Sequence, residues 1–576
     1  MTEKRIQGLL EELARRRPDD TAYTFVDFEV DPRGVAESLT WAQLYQRACV
    51  VAARLATCGS PGDRAAIVAP QGLDYVVAFL GAIQAGFIAV PLSVPQFGAH
   101  DERVSGALRD CSPVAILTTS AVVEGLMTYA KPAPGRPAPR VVEVDALDFV
   151  SPATLVGAGG RPPKAAYLQY TSGSTRQPSG VVITHENVIA NVEQIRADVL
   201  EGGAPQLTIV SWLPLFHDLG LIVGLFIPLV AGRPAVFMSP TAFMQKPARW
   251  MRALASHTQT LTASPNFGFD LAAGRTSDED LVGLNFDDVR AVVSGSERIH
   301  ASTMRRFFER FSRHGLLSTA VRSAYGLAEA TLYVVSSSAG EPPVTARFDY
   351  QKLCAGHAER SDGDGVEMVS VGPPRACLVR IVDPETRLEN PAGMIGEIWL
   401  LGDNISAGYW HKAQLSADTF GAELANAATG TPVGPWLRSG DLGVLSDGEL
   451  FIVGRIKDLL IVNGRNHYPD DVEATVREIT GGRVAAISVQ DGPTEQLVVI
   501  ADLKRRGDRP DEMAAALRGL RREVTAAVAR AHNLRLADLV LVQPGSIPVT
   551  TSGKVRRASC AERYQQNDFR RLDVTP

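Results

Sequence analysis

Long hydrophobic runs, charge of one sign and paired cysteines are all scarce in this chain, and each scarcity removes a class of protein. The formal charge is only -6 over 576 residues. No block of like charges occurs, and Arg15, Arg16 and Arg17 run straight into Pro-Asp-Asp. That leaves no electrostatic footprint for a nucleic acid. The six cysteines, Cys49, Cys58, Cys111, Cys354, Cys377 and Cys560, form no CxxC pair and lie at no zinc-ligand spacing from histidine. A disulfide framework is therefore excluded as the organising principle, and a reducing, cytoplasmic location is expected. The first twenty residues mix acids with bases and lack an apolar stretch, so no secretory leader is expected. The least polar segment, 75–94, has Gln84 and Ser93 as its clearly polar side chains but is broken by Gly81, Gly86 and Pro91. It reads as a buried helix, a turn near Ala85-Gly86 and a strand, not a membrane span. The apolar run 221–230 is about half the length of a span and reads as core. There is no internal repeat at solenoid periods.

What is present is an ordinary globular balance, 45% hydrophobic and 21% charged, in a chain too long for one core. Short apolar runs at 65–68, 114–117, 209–212 and 289–293 read as buried strands with helical patterns between them. That alternation predicts doubly wound α/β layers. Pro-rich 131–140 and Gly-rich 157–163 read as surface connectors. From 372 to 453 the pattern changes to short strands at 379–382, 395–401 and 449–453, which predicts a β subdomain. The chain beyond Gly454 reads as a separate α+β unit. Strands are expected there at 459–462, 485–489 and 496–500. A helix is expected at about 512–531, with Asp511 as N-cap and Leu517, Leu520, Val524, Val528 and Ala531 on one face.

The segment YTSGSTRQPSG, 170–180, carries the sharpest chemistry. It lies between two apolar strands, at 165–170 and 181–184, and offers Ser172, Ser174 and Thr175 hydroxyls around Gly173, with Arg176 close by. Backbone N–H groups of such a turn can face a phosphate, although a plain Ser/Gly turn would have the same composition. It is not a Walker A loop, because the Gly-Lys-Ser/Thr ending is missing.

Five further stretches follow in order: SWLPLFHDLG at 211–220, SAYGLAEAT at 323–331, WLRSGDLG at 436–443, GRIKDLLIVNGRNHYPDD at 454–471 and TTSGKVRR at 550–557. Together with the loop they resemble the adenylate-forming superfamily of acyl-CoA synthetases, luciferases and peptide-synthetase adenylation domains, over nearly the whole chain. The form YTSGSTR-x-P, with HDLG, YGLAEAT and GRNHYPDD, resembles more narrowly the long-chain fatty acyl-AMP ligases of mycobacterial, polyketide-synthase-associated type. The segment at about 344–367 is similar to the insertion that sets those ligases apart.

The resemblance implies a large multi-layer N-terminal AMP-binding domain, 1–454, and a small mobile C-terminal lid domain, 455–576. It implies ATP and Mg2+ as cofactors, a fatty acid as substrate, and an acyl carrier protein domain of a polyketide synthase as acceptor, in lipid biosynthesis. Adenylation joins two anions, so cations must stand where charge develops. By resemblance Lys554 bridges carboxylate and α-phosphate, and Glu329 is the Mg2+ ligand. Thr171, Ser172, Gly173, Ser174, Thr175, Tyr325, Gly326, Asp441 and Arg455 bind ATP or AMP: Asp441 holds the ribose hydroxyls, Tyr325 flanks the adenine and Arg455 makes a second nucleotide contact. Lys457 is the hinge. By resemblance Trp212, His217, Asp218 and Asn266 border the acyl pocket, although plain core packing is the better account of Trp212 or Asn266 taken singly, and a satisfied core histidine accounts almost as well for His217. Phe348, Tyr350 and Leu353 are expected to anchor the insertion on the large domain. Leu215-Phe216, Ser264 and Ser439 depart from the related ligases, which leaves chain-length preference open. The rival readings are an acyl-CoA synthetase, which shares every ATP motif, and an inactive nucleotide-binding scaffold.

Overall fold

The computed structural model describes residues 5–95, 101–132, 137–151, 163–170, 178–200, 206–363, 365–462, 465–491, 494–503, 510–550 and 554–572. Among these, two extended sheets organise the first two thirds of the chain. One has eight strands in the order Tyr333–Ser336, Val321–Gly326, Val289–Ser294, Thr260–Ser264, Thr208–Ser211, Ala235–Phe237, Thr21–Asp27, Val35–Thr40. Its interior pairings are parallel, and its two outer pairings are antiparallel. The other has six strands in the order Arg140–Glu143, Ala115–Thr118, Arg64–Ile67, Ile88–Pro91, Ala165–Tyr170, Gly180–Thr184, antiparallel only at the last pairing. The strands expected at 65–68, 114–117, 209–212 and 289–293 all occur, each within a residue of its expected bounds. Parallel strands must be covered on both faces, which is why these runs are continuously apolar instead of alternating.

The helix Leu73–Gln84 buries every residue except Asp74 and Gln84. A Cβ at Gly81 would stand 2.5 Å from Val51 Cβ, so the glycine permits the close approach of this helix to Trp41–Ala56. The chain then turns at Gly86, in the left-handed region, into the strand Ile88–Pro91. The run 221–230 is buried core, folded as a π-helical turn Ile222–Phe226 and a short helix Ile227–Ala231. Among the described residues no helix is long and apolar enough to cross a membrane.

A four-stranded antiparallel sheet follows, Leu378–Val382, Gly396–Leu401, Leu437–Ser446 and Glu449–Arg455. The insertion is not a loose excursion. It is an antiparallel pair, Thr345–Phe348 with Val366–Val369, spanned by the helix Tyr350–Cys354. Phe348 packs edge-on against Phe451 at 5.1 Å, and Leu353 is buried in the same cluster. Tyr350 departs from the expectation: its hydroxyl meets His467 Nδ1 at 2.8 Å and its ring meets His532 at 4.9 Å, both beyond residue 455.

The C-terminal unit is smaller. Its sheet, Val484–Asp491, Thr494–Asp502 and Leu536–Val542, alternates sides as a half-covered strand must. Val484, Ala486, Leu497 and Val499 face the helices Pro469–Thr480 and Pro510–His532, while Ala485, Ile487, Val498 and Ile500 face the helix Arg557–Gln565. The strand Leu536–Val542 and the helices Pro469–Thr480 and Arg557–Gln565 carry no expectation from sequence. The long helix begins at Pro510, a residue suited to the first helical position, so Asp511 lies inside the first turn and not at the cap. Its apolar stripe continues from Val524 and Val528 to buried His532, four residues on, and Ala531 is exposed.

Candidate active site

Parallel α/β sheets present their ligands at the carboxyl ends of the strands. Here the strands ending at Tyr170, Ser211, Ser264, Ser294 and Gly326 all empty into one cavity of about 2320 Å3. His217 and Asp218 follow the second of these ends, Asn266 the third, Glu297 the fourth and Glu329 the fifth. Asp441, Arg455 and Lys554 close the cavity from the β subdomain and the C-terminal unit.

The turn after the fifth strand explains the Tyr-Gly-Leu-Ala-Glu motif. A Cβ on Gly326 would lie 1.7 Å from Leu332 O, and Leu327 N–H donates to that same carbonyl at 2.9 Å. Only glycine allows the chain to fold back this tightly. The short 3-10 turn Ala328–Ala330 then holds Glu329 at the cavity wall, and Thr331 sits at φ 68 with its hydroxyl donating to Asn404 O at 2.7 Å. Strain of this kind persists where surrounding contacts fix it.

Tyr325 Oη donates to Asp441 Oδ2 at 2.8 Å, and Arg455 Nε meets Asp441 Oδ1 at 2.8 Å. The carboxylate thus faces the cavity with one oxygen held on each side. Asp441 keeps the Arg455 guanidinium charged, and burial beside that carboxylate pushes the Tyr325 phenol well up. Glu329 is held by Tyr409, whose hydroxyl donates to Oε1 at 2.8 Å. Burial raises the Glu329 carboxyl above the usual range, with the Tyr409 bond opposing it. A hard cation would relieve that desolvation. Among the described residues no group of three His, Cys, Asp or Glu could hold a metal alone. A cation at Glu329 would therefore take its remaining ligands from phosphate and water, as Mg2+ commonly does.

Lys554 reaches the same cavity. Burial lowers its pKa and Arg455 adds to the effect, while Asp218, Glu297 and Asp441 pull it back up. Its backbone is fixed by Thr550 on both sides, at 2.7 and 3.1 Å. His217 Nδ1 lies 2.5 Å from Asp218 Oδ1. Burial opposes the Asp218 charge, but His217 and Lys554 outweigh it and the carboxyl falls below its ordinary value. Asn266 lines the cavity and also ties the start of the helix Ala301–Ser312, accepting from His300 N–H at 3.1 Å and donating to Thr303 Oγ1 at 3.3 Å. Trp212 is not on the cavity wall: it stacks on Phe243 at 3.9 Å within an aromatic cluster. Lys457 is exposed, in the turn Ile456–Asp458 whose other two residues are half-buried.

Residues 171–177, and with them Thr171, Ser172, Gly173, Ser174 and Thr175, lie outside the described residues. Their flanks are stapled. Tyr170 Oη donates to Asp110 at 2.6 Å, Trp410 N–H donates to Gly180 O at 2.7 Å, and Lys412 Nζ donates to Ser179 Oγ at 2.8 Å. Sequence reasoning missed Tyr409, Lys412 and Glu297. Glu297 had a usable signal, since it follows an apolar run that ends in Ser-Gly-Ser. The neighbouring Ser296 sits at φ 73.

Most of the chain matches one family by sequence. Residues 10–410 match the AMP-binding enzyme model. The chain belongs to the AMP-binding enzyme family. A second model, Disco-interacting protein 2-like, AMP domain, matches residues 457–573. Among relatives, the long-chain-fatty-acid–AMP ligase FadD26 of Mycobacterium marinum is 58% identical, covering 100% of both chains. The 4-hydroxyphenylalkanoate adenylyltransferase of Mycobacterium tuberculosis is 53% identical over 100% of this chain and 94% of its own. Among solved structures, the fatty acyl-adenylate ligase from L. pneumophila, in complex with acyl adenylate and pyrophosphate, aligns with a TM-score of 0.73 at 28% identity, covering 100% and 99% of the two chains. This AMP-binding enzyme has the mixed α/β fold of those ligases, a large multi-sheet N-terminal domain with a smaller C-terminal one.

Proposed function

We propose that this enzyme activates a long-chain fatty acid with ATP, releasing pyrophosphate, and passes the acyl group to the phosphopantetheine thiol of an acyl carrier protein on a polyketide synthase. The observation that carries the reading is the convergence of Asp441, Glu329 and Lys554, from three separate segments, on one cavity. In this mechanism Asp441, held by Tyr325 and Arg455, accepts the ribose hydroxyls. A fatty carboxylate oxygen attacks the α-phosphorus and the bond to the β-phosphate oxygen breaks. Lys554 lies between the two anions and offsets their repulsion as a mobile point charge. Glu329 would hold Mg2+, which when bound neutralises charge on the triphosphate. Residues 171–175 would cradle the phosphates. The carrier thiol then attacks the acyl carbonyl and AMP leaves. Support for the substrate comes from the 58% identity to a long-chain-fatty-acid–AMP ligase, and from apolar Val223, Ile227 and Leu271 on the cavity wall. ATP–pyrophosphate exchange tests the reading: fatty acids should stimulate it, and stimulation by 4-hydroxyphenylalkanoates alone would transfer the proposal to arylalkanoic substrates, the activity in the name of the 53% relative.

We place the boundary between domains at residues 454 and 455, with Lys457 as the hinge. Proline fixes φ and stiffens a chain that must change its dihedrals between steps. Lys457→Pro should therefore spare adenylate formation and impair transfer to the carrier. Equal loss in both half-reactions would indicate a misplaced hinge.

The insertion restricts use of free coenzyme A in this account. Tyr350 and Gln351 grip His467 and Arg465 of the smaller unit, each at 2.8 Å, so the flap is a contact between units and not surface decoration. Replacing 344–367 by a short Gly-Ser bridge should yield acyl-CoA at saturating coenzyme A. A folded deletion variant that still forms adenylate but no acyl-CoA would show that the barrier lies in the thiol channel.

A further inference from the structure

One buried ion pair joins the two units at the rim of the cavity. Arg298, in the loop beyond Val289–Ser294, meets Asp471, in the first turn of Pro469–Thr480, at 2.5 Å, with side chains 14% and 5% exposed. Burial, with the Asp470 charge beside it, pushes the Asp471 carboxyl up, and Arg298 opposes both. A different face of the same helix, carrying Asp470 and Glu473, turns toward the segment of the active-site lysine. Asp470 and Glu473 each hold Arg557 at 2.7 Å, with Asp458 of the linker turn at 3.2 Å. Arg557 lies three residues after Lys554. On the other side, Arg298 is next to Glu297, which accepts Phe267 N–H at 2.9 Å at the cavity wall. The pair therefore connects the rim of the cavity in the large unit to the segment that carries Lys554.

We infer that Arg298 and Asp471 are positioning residues that latch the smaller unit in the orientation presenting Lys554 to the cavity, and that they act in adenylate formation rather than in thiol transfer. The inference rests on the function proposed above. A buried pair gains little net stability, because desolvation offsets attraction, but removing one partner strands a charge. Such a pair suits an orientation that must be both specific and reversible. When the smaller unit turns away, both charges return to water and the cost of separation is limited. The linker turn at 455–458 carries Arg455 and Lys457, so its accessibility to trypsin reports the orientation independently of any substrate.

The test uses the full chain as Arg298→Gln, Asp471→Asn, the double variant and Arg298→Lys, each assayed well below its own melting transition, where it is folded. ATP–pyrophosphate exchange with a fatty acid and the rate of tryptic cleavage at 455–458 are measured for each. Each neutral single variant should lose about tenfold in exchange and be cut faster, and the double should lose no more than the worse single, as expected for groups acting together. Arg298→Lys keeps the charge and should recover most of the exchange. Unchanged cleavage in all variants, or additive losses in the double, would overturn the latch. Absence of exchange in the unmodified chain with every fatty acid would instead overturn the proposed substrate, while the cleavage series would still decide the latch.

Discussion

Lys554→Ala should lower the rate of acyl-adenylate formation by about 100-fold or more, the scale seen when one stabiliser of developing charge is removed. Fold and nucleotide binding should be retained, because Lys554 is tied to Thr550 through its own backbone, which the substitution keeps: Thr550 N–H donates to Lys554 O and Lys554 N–H to Thr550 Oγ1. Asp441, Tyr325 and Arg455 remain to bind the nucleotide. Near-normal adenylate formation by the variant would remove Lys554 from the mechanism. The lysine also predicts a pH profile. Its folded pKa is lowered by burial and by Arg455, against the pull of Asp218, Glu297 and Asp441. The charged form is therefore present below that lowered value and lost as pH rises through it. Adenylation should decline on the alkaline side at lower pH than an ordinary lysine would dictate.

Glu329→Gln should raise the Mg2+ concentration needed for adenylation far more than it weakens fatty-acid binding. A hard cation responds to the carboxylate charge, which glutamine lacks while keeping its shape. Tyr409 can still donate to the amide oxygen, so the turn should persist. Titrating Mg2+ in the adenylation assay checks this, and an unchanged dependence would show that Glu329 is not the ligand. The raised carboxyl pKa gives a second sign. Without the cation, protonation of Glu329 begins at higher pH than for a free glutamate, so the Mg2+ concentration needed by the unmodified enzyme should rise as pH falls through that range.

Much of the fold was legible because parallel strands buried on both faces leave continuous apolar runs, as at 65–68 and 289–293. The break at Gly86 and the buried run 221–230 were legible for the same local reason. The strand Leu536–Val542 was not, because LADLVLV mixes a charged edge with core and follows a long helix without a strong turn signal. Tyr325, Asp441 and Arg455, each singled out by its motif, meet in one hydrogen-bonded and ionic group. Tyr409 was hidden because its role depends on a partner 80 residues away. The link between His217–Asp218 and Lys554 was hidden too, since it forms only when the two units meet. Trp212 packs in the core, the better of its two readings from sequence, but its partners Phe243, Trp250 and Phe267 were not legible because they are scattered along the chain.

The most direct measurement incubates the enzyme with ATP, Mg2+ and fatty acids of graded length, with and without coenzyme A, and identifies products by mass. The account predicts acyl-adenylate and pyrophosphate as products, with little acyl-CoA when coenzyme A is present. Efficient acyl-CoA formation by the intact enzyme would contradict the ligase reading, and no adenylate from any fatty acid would contradict the central claim itself.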